Sequence, residues 1–194
     1  DTPIKDVAPA VEIVKSASPT RILPGGDVTY TFTVFNRSTI EPIKVLALTD
    51  PKIADLATTG TCDISTWPWL TPDDGDDAAG TDQRTCSVTI PVGASLAPFG
   101  TDLNTVTVEA GDDEIVDSEG GEPGTSSPRV TDTDDASVDV RTPGSITVIK
   151  QAAPATGTFT FTLTGQQQQT VAAGGSYTWS GLDAGATADA TVAY

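Results

Sequence analysis

Residues 27–35 alternate without a fault: Val28, Tyr30, Phe32 and Val34 fall on one side, Thr29, Thr31 and Thr33 on the other. A two-residue period is that of a strand with one buried face. Pro24-Gly25-Gly26 ahead of it reads as a turn. Upstream, Val11, Ile13 and the aliphatic stem of Lys15 predict a shorter strand, ended by Ser18-Pro19. Downstream, 42–49 predicts another, with Ile43, Val45 and Ala47 opposite Lys44, Leu46 and Leu48, and Asp50-Pro51 as its stop. Further strands are expected at 85–90, 103–110, 113–117 and 136–140, with a Gly/Ser/Pro stretch at 118–128. No stretch carries a 3.6-residue stripe, so the pattern predicts an all-β antiparallel sandwich.

Residues 57–85 break the rhythm. They hold Cys62, the pair Trp67 and Trp69 around Pro68, and the acidic run Asp73-Asp74-Gly75-Asp76-Asp77. They read as a long loop clasped at its base by Cys62 and Cys86. Two tryptophans on such a loop serve as lids over a core edge or as a binding platform for a ligand, a glycan or a host protein. After a linker at 142–144 the same grammar returns on a smaller scale. Strands are expected at 145–150, at 158–164 with Phe159, Phe161 and Leu163 on one face, and at 176–180. Gln166 to Gln169 read as an exposed strand edge or hairpin tip. The chain therefore divides into an extension at 1–8, a sandwich at 9–141, the linker, and a small β domain at 145–194 that looks incomplete. About 50 residues is a marginal size for a sandwich.

Composition narrows the chemistry. The 194 residues suit one large or two small domains. Thirty-two Thr, 18 Gly and 14 Pro favour strands and turns over helices. There are 27 acidic residues against 10 basic ones and no His, for a net charge of −17. Such a surface repels nucleic acid and anionic lipid, so neither is expected as a partner. Without imidazole, Ser–His and Cys–His nucleophiles and the common zinc and haem sites drop out. No apolar run approaches the ~20 residues needed to span a bilayer, so membrane insertion is not expected. The polar start Asp1-Thr2-Pro3 is not that of a signal peptide.

The two cysteines have 23 residues between them. A disulfide leads, with a pair of free core thiols or a redox couple as the alternatives. A bond closing a loop of this size contributes about 3 kcal/mol and belongs to a non-reducing compartment.

The acidic residues cluster. Asp112, Asp113 and Glu114 form one group, and Asp132, Asp134 and Asp135 another, at the two ends of one long connection. Dense carboxylates are hard oxygen ligands suited to Ca²⁺, although the EF-hand spacing is not met. The competing reading is a solvated acidic edge that discourages strand pairing. Asp73 to Asp77 form a further, weaker metal candidate. No pair of carboxylates is marked as lying among aromatics, so glycoside hydrolysis, and enzyme activity generally, is not expected. Asn36-Arg37-Ser38 has the form of a glycosylation sequon.

Residues 14–36 carry a recognisable motif set: Lys15, Ala17 and Pro19, then Pro24, Gly25 and Val28 to Thr31, then Val34 and Asn36. Together with the Leu48-Thr49-Asp50 segment, the Gly60-Thr61-Cys62 segment, Cys86 and the acidic entry at 131–140, this resembles the Ig-like repeats strung along prokaryotic surface proteins (domain of unknown function 11). The resemblance covers about residues 9–141 and implies an Ig-like β-sandwich with a disulfide. Residues 144–164, with 176–182 and the turn Gly181-Leu182-Asp183-Ala184-Gly185, resemble the prealbumin-like, collagen-adhesin B-type repeats of Gram-positive surface and pilus proteins. Some of those carry an internal Lys–Asn or Lys–Asp amide. Lys150 sits near the usual lysine, and Asp183 or Asp189 would have to accept, since the only two Asn are Asn36 and Asn104.

These resemblances imply an extracellular structural module at the cell surface: a segment or subunit of a stalk, adhesin or filament. Its partners would be copies of itself or neighbouring repeats. Assembly by strand donation would use residues 1–16 with Val7, Val11 and Ile13. The alternatives are a glycan- or protein-binding adhesin tip, and a calcium-stabilised spacer.

Overall fold

A computed structural model describes residues 9–76, 80–92, 100–112, 129–151, 156–183 and 190–193. Twelve strands are seen among them: β1 (Val11–Ser18), β2 (Arg21–Ile22), β3 (Gly26–Asn36), β4 (Lys44–Thr49), β5 (Gln83–Val92), β6 (Thr101–Gly111) and β7 (Arg129–Val140), then β8 (Pro143–Ile149), β9 (Thr158–Leu163), β10 (Gln169–Ala172), β11 (Ser176–Asp183) and β12 (Ala190–Ala193). The only helical pieces among the described residues are three single 3₁₀ turns, at Leu56–Thr58, Gly60–Cys62 and Ile64–Thr66. The chain is an all-β, sandwich-like fold.

The first seven strands form two sheets, β1-β3-β5 and β2-β7-β6-β4. All their pairs are antiparallel except β2 with β7, which is parallel. Backbone bonds from Asp139 N to Thr20 O (2.8 Å) and from Arg141 N to Ile22 O (2.9 Å) accompany that pair. The alternation predicted for β3 holds: Val28, Tyr30, Phe32 and Val34 are all fully buried. They meet Val106, Val108, Val138 and Val140 from the other sheet in one core. The outward threonines pair across strands, Thr29 with Thr89 (2.8 Å) and Thr33 with Thr85 (3.0 Å). Gly25, at φ 80°, makes the turn into β3 that a side chain would strain.

Three features depart from the sequence pattern. β4 carries a bulge between Val45 and Ala47, which inverts the alternation, so that Val45 and Leu48 point inward. β7 begins at Arg129, seven residues before the predicted start, because the acidic run itself pairs with β6. The 57–85 region is partly ordered by its three 3₁₀ turns and by a bridge from Ile43 to Leu70. The predicted strand at 113–117, the stretch at 118–128 and the extension at 1–8 lie outside the described residues.

The last five strands make the pairs β11-β8 and the sheet β10-β9-β12. Phe161, Leu163, Val171 and Trp179 form a second, smaller core, with Ile146, Val148, Phe159, Tyr177 and Leu182 packed against it. Only Arg141 and Thr142 separate β7 from β8. Pro143 and Gly144, read above as linker, already pair with Asp183 and Leu182. A terminal strand, β12, is present and pairs with β9.

Candidate functional site: a buried Lys15–Asp50–Asn104 cluster

Ionic and amide groups lie inside the larger core. Lys15 is in phase with Ile13 on β1, so its side chain enters the space between the sheets. Its Nζ donates to Asp50 Oδ2 at 2.7 Å, with neither side chain exposed to solvent. Asp50 follows β4 directly. Only the bulge after Val45 gives it an inward position, because uninterrupted alternation would turn it to solvent. Asp50 Oδ1 accepts from Lys52 N at 2.8 Å. The Lys52 ammonium then bonds Asp102 and the carbonyl of Leu103, tying the turn after β4 to β6.

Asn104 stands on that part of β6, in phase with Val106 and Val108, and is 1% exposed. Both polar atoms of its carboxamide and the Tyr30 hydroxyl are buried and make no well-formed hydrogen bond, although the two side chains lie against each other. Tyr30 links the groups. Lys15 Nζ sits 5.0 Å from its ring centre and 5.4 Å from that of Phe32. Burial raises the Tyr30 phenol above its ordinary value; the Asp102 charge adds to the shift, Asn104 opposes it, and Asp50 adds again. Burial likewise lowers the Lys15 ammonium, against the hydrogen bond and charge of Asp50.

The sequence candidates scatter. Asp132 and Asp134 sit on the inward-leaning face of β7, and Asp135 on the opposite, exposed face. Asp132 Oδ2 accepts from Ile13 N at 2.8 Å and Asp134 Oδ2 from Lys15 N at 2.6 Å. These two carboxylates therefore cover the outer edge of β1, whose other edge is held by β3. Asp112 is buried just past the end of β6; Asp113 and Glu114 lie outside the described residues. A different acidic trio does converge: Asp73, Asp74 and Asp82 each place an oxygen within 4.8 Å of the others. Asp73 also lies 3.8 Å from Arg37, and Asp77 is outside the described residues.

The two loop tryptophans part company. Trp67 is a core residue, 4% exposed, with Nε1 donating to Thr61 O at 3.1 Å. Trp69 is 38% exposed. They do not form one platform. Cys62 and Cys86 are joined in a disulfide, with Cα atoms 5.1 Å apart. The sequon is built into the fold: Asn36 is fully buried, and its Nδ2 donates to the carbonyls of Glu41 (2.7 Å), Leu70 (3.3 Å) and Thr71 (2.8 Å). Lys150 lies with its Nζ 4.0 Å from the Phe159 ring centre. Asp183 pairs with Pro143, at the far end of β8 from Lys150 and ~20 Å along the strand, too far for an amide between them. Asp189 is outside the described residues. Residues 11–16, read as part of a donor strand, are built into the chain's own sheet as β1.

A cavity of about 320 Å³ opens beside Asp50, with Leu48, Ile53, Leu56 and Ala57 among its lining residues. No helix of the described residues is long and apolar enough to cross a membrane. No protein-family model matches the chain, and no curated protein matches it.

Proposed function

We propose that the chain is an extracellular structural module: a segment or subunit of a prokaryotic surface stalk, adhesin or filament that holds distance under load. The observation that carries this reading is the series arrangement. Two separate hydrophobic cores are strung on consecutive strands, with only Arg141 and Thr142 between β7 and β8. So short a connector limits bending between two stiff bodies, as a spacer requires. The Cys62–Cys86 disulfide fits an oxidising location outside the cytosol. A net charge of −17 keeps such a surface soluble and discourages unspecific adhesion. Its partners are copies of itself or neighbouring repeats of the same surface protein. Antibody labelling of intact, unpermeabilised source cells, read by electron microscopy, tests this. Label on projecting surface structures is expected; label that appears only after permeabilisation refutes it.

A second reading, an adhesin tip for a glycan or host protein, rests on the exposed ring of Trp69. Glycan-array profiles of the chain and its Trp69→Ala variant decide it, and identical empty profiles discard it. A calcium-stabilised spacer would use Asp73, Asp74 and Asp82. A melting temperature unmoved by chelator or by added Ca²⁺ discards that one.

A further inference from the structure

The buried Lys15–Asp50 pair is an odd way to hold a sandwich together. Two charges taken out of water are each heavily penalised, and apolar residues of the same volume often do as well or better. Against the same Tyr30 that the Lys15 ammonium approaches to 5.0 Å, the Asn104 carboxamide has lost its water and gained no well-formed hydrogen bond, a situation native interiors avoid. Each oddity has a purpose if the groups react with each other.

We propose that Lys15 and Asn104 become joined by an amide bond between the Lys15 Nζ and the Asn104 Cγ, formed within the folded core with Asp50 as the proton carrier. The three groups supply the three parts such a reaction needs. Lys15 is the nucleophile, and burial favours its neutral, reactive form. Asn104 is the acyl donor, its carboxamide buried beside Tyr30 and held by no well-formed hydrogen bond. Asp50 touches the ammonium at 2.7 Å and is the acid–base group. The bulge in β4 aims Asp50, and the Lys52 contacts to Asp102 and Leu103 bring its turn against β6 beside Asn104. Tyr30 and Phe32 wall the site, excluding the water that would compete as nucleophile.

The balance closes without any further reactant. The Lys15 ammonium gives a proton to Asp50, and the freed lone pair attacks Cγ of Asn104, pushing the carbonyl pair onto Oδ1. Asp50 passes its proton to Nδ2 and takes another from the attacking nitrogen. The carbonyl re-forms, the Cγ–Nδ2 bond breaks, and ammonia leaves. Of the three ammonium hydrogens, one stays in the new amide, one departs in the ammonia and one remains on Asp50. A buried ion pair and an orphaned carboxamide are thereby replaced by a neutral amide and a neutral acid. Direct condensation of Lys15 with Asp50 is disfavoured, because it would consume the carboxylate that touches the amine and carries its protons.

The bond would tie β1 of one sheet to β6 of the other, and it stands on the core geometry alone, wherever the protein resides. Intact-mass spectrometry of the purified full chain, after reduction of the disulfide, tests it directly. The expected mass is that of the sequence less one ammonia, with a branched peptide joining the Lys15 and Asn104 fragments on digestion. Lys15→Ala, Asn104→Ala and Asp50→Ala should each restore the full mass. A wild-type chain at full sequence mass overturns the proposal, and that measurement needs no variant to fold. Loss of one water with a Lys15–Asp50 branch also overturns it. Loss of ammonia that persists in Asp50→Ala overturns the role given to Asp50.

Discussion

Replacing Asp132 and Asp134 together by Ala should release β1 from its carboxylate cover. Each side chain accepts one backbone N–H, from Ile13 at 2.8 Å and from Lys15 at 2.6 Å. A hydrogen bond to a charged acceptor contributes about 1.5–3 kcal/mol. Both sites are part-buried, so water replaces some of each bond, and the expected loss for the double variant is about 3 kcal/mol, the lower end of the sum. Hydrogen exchange read at single amides is the assay, because it reports the local opening of β1 without assuming that the whole chain unfolds in one step. A loss of that size corresponds to about a hundredfold faster exchange at Ile13 and Lys15. Asp135→Ala, on the exposed face of the same strand, should leave both amides unchanged. Asn at 132 and 134 keeps an acceptor but no charge, and should fall between. Unchanged exchange in the double Ala variant, or equal acceleration by Asp135→Ala, would show that the carboxylates do not secure the strand.

Reducing the Cys62–Cys86 bond should lower the stability of the larger sandwich by about 3 kcal/mol, read as a drop in melting temperature with reductant. Asn36→Ala removes the donor to three carbonyls and the acceptor for Ser38 N; a loss of about 3 kcal/mol in denaturant titration is expected. In a glycosylating host, Asn36 should stay unmodified by peptide mass. Tyr30→Phe should change stability at neutral pH by less than about 1 kcal/mol, since the hydroxyl has no well-formed hydrogen bond to lose. The raised Tyr30 pKa means the folded state keeps its proton longer than the unfolded chain. That contribution is whole below pH 10.0 and is lost as pH climbs through the folded value, so the Phe variant should decline less steeply in alkali.

The sequence displays strands whose apolar residues alternate, and β3 was legible to within one residue at each end, with its inward face read correctly. It also placed Lys15 inward, through its phase with Val11 and Ile13. The rest of the buried cluster was hidden for two physical reasons. Asp50 faces inward only because of the β4 bulge, and a bulge leaves no mark when both flanking phases are apolar, as in Ile43 to Leu48. Asn104, inside the expected strand 103–110, shares the phase of Val106 and Val108, which is a signal, but a polar residue near a strand end does not by itself mark a buried position. The acidic run at 131–135 misled in the opposite sense. Asp is poor in strands on average, yet here Asp132 and Asp134 have donors waiting on β1. The tryptophan pair was separable only in three dimensions, where Trp67 enters the core and Trp69 stays at the surface.

The parallel pairing of β2 with β7 decides how the larger body meets tension. These two strands point the same way and lie near its two ends in the chain. A pull applied between β2 and β7 slides one lengthwise past the other, so the bonds from Asp139 to Thr20 and from Arg141 to Ile22 are loaded together, whereas a Lys15–Asn104 amide would carry a pull entering through β1 past this pair. In a hairpin they would peel apart singly. The shortest of the described strands is thus a shear lock for a pull along that line.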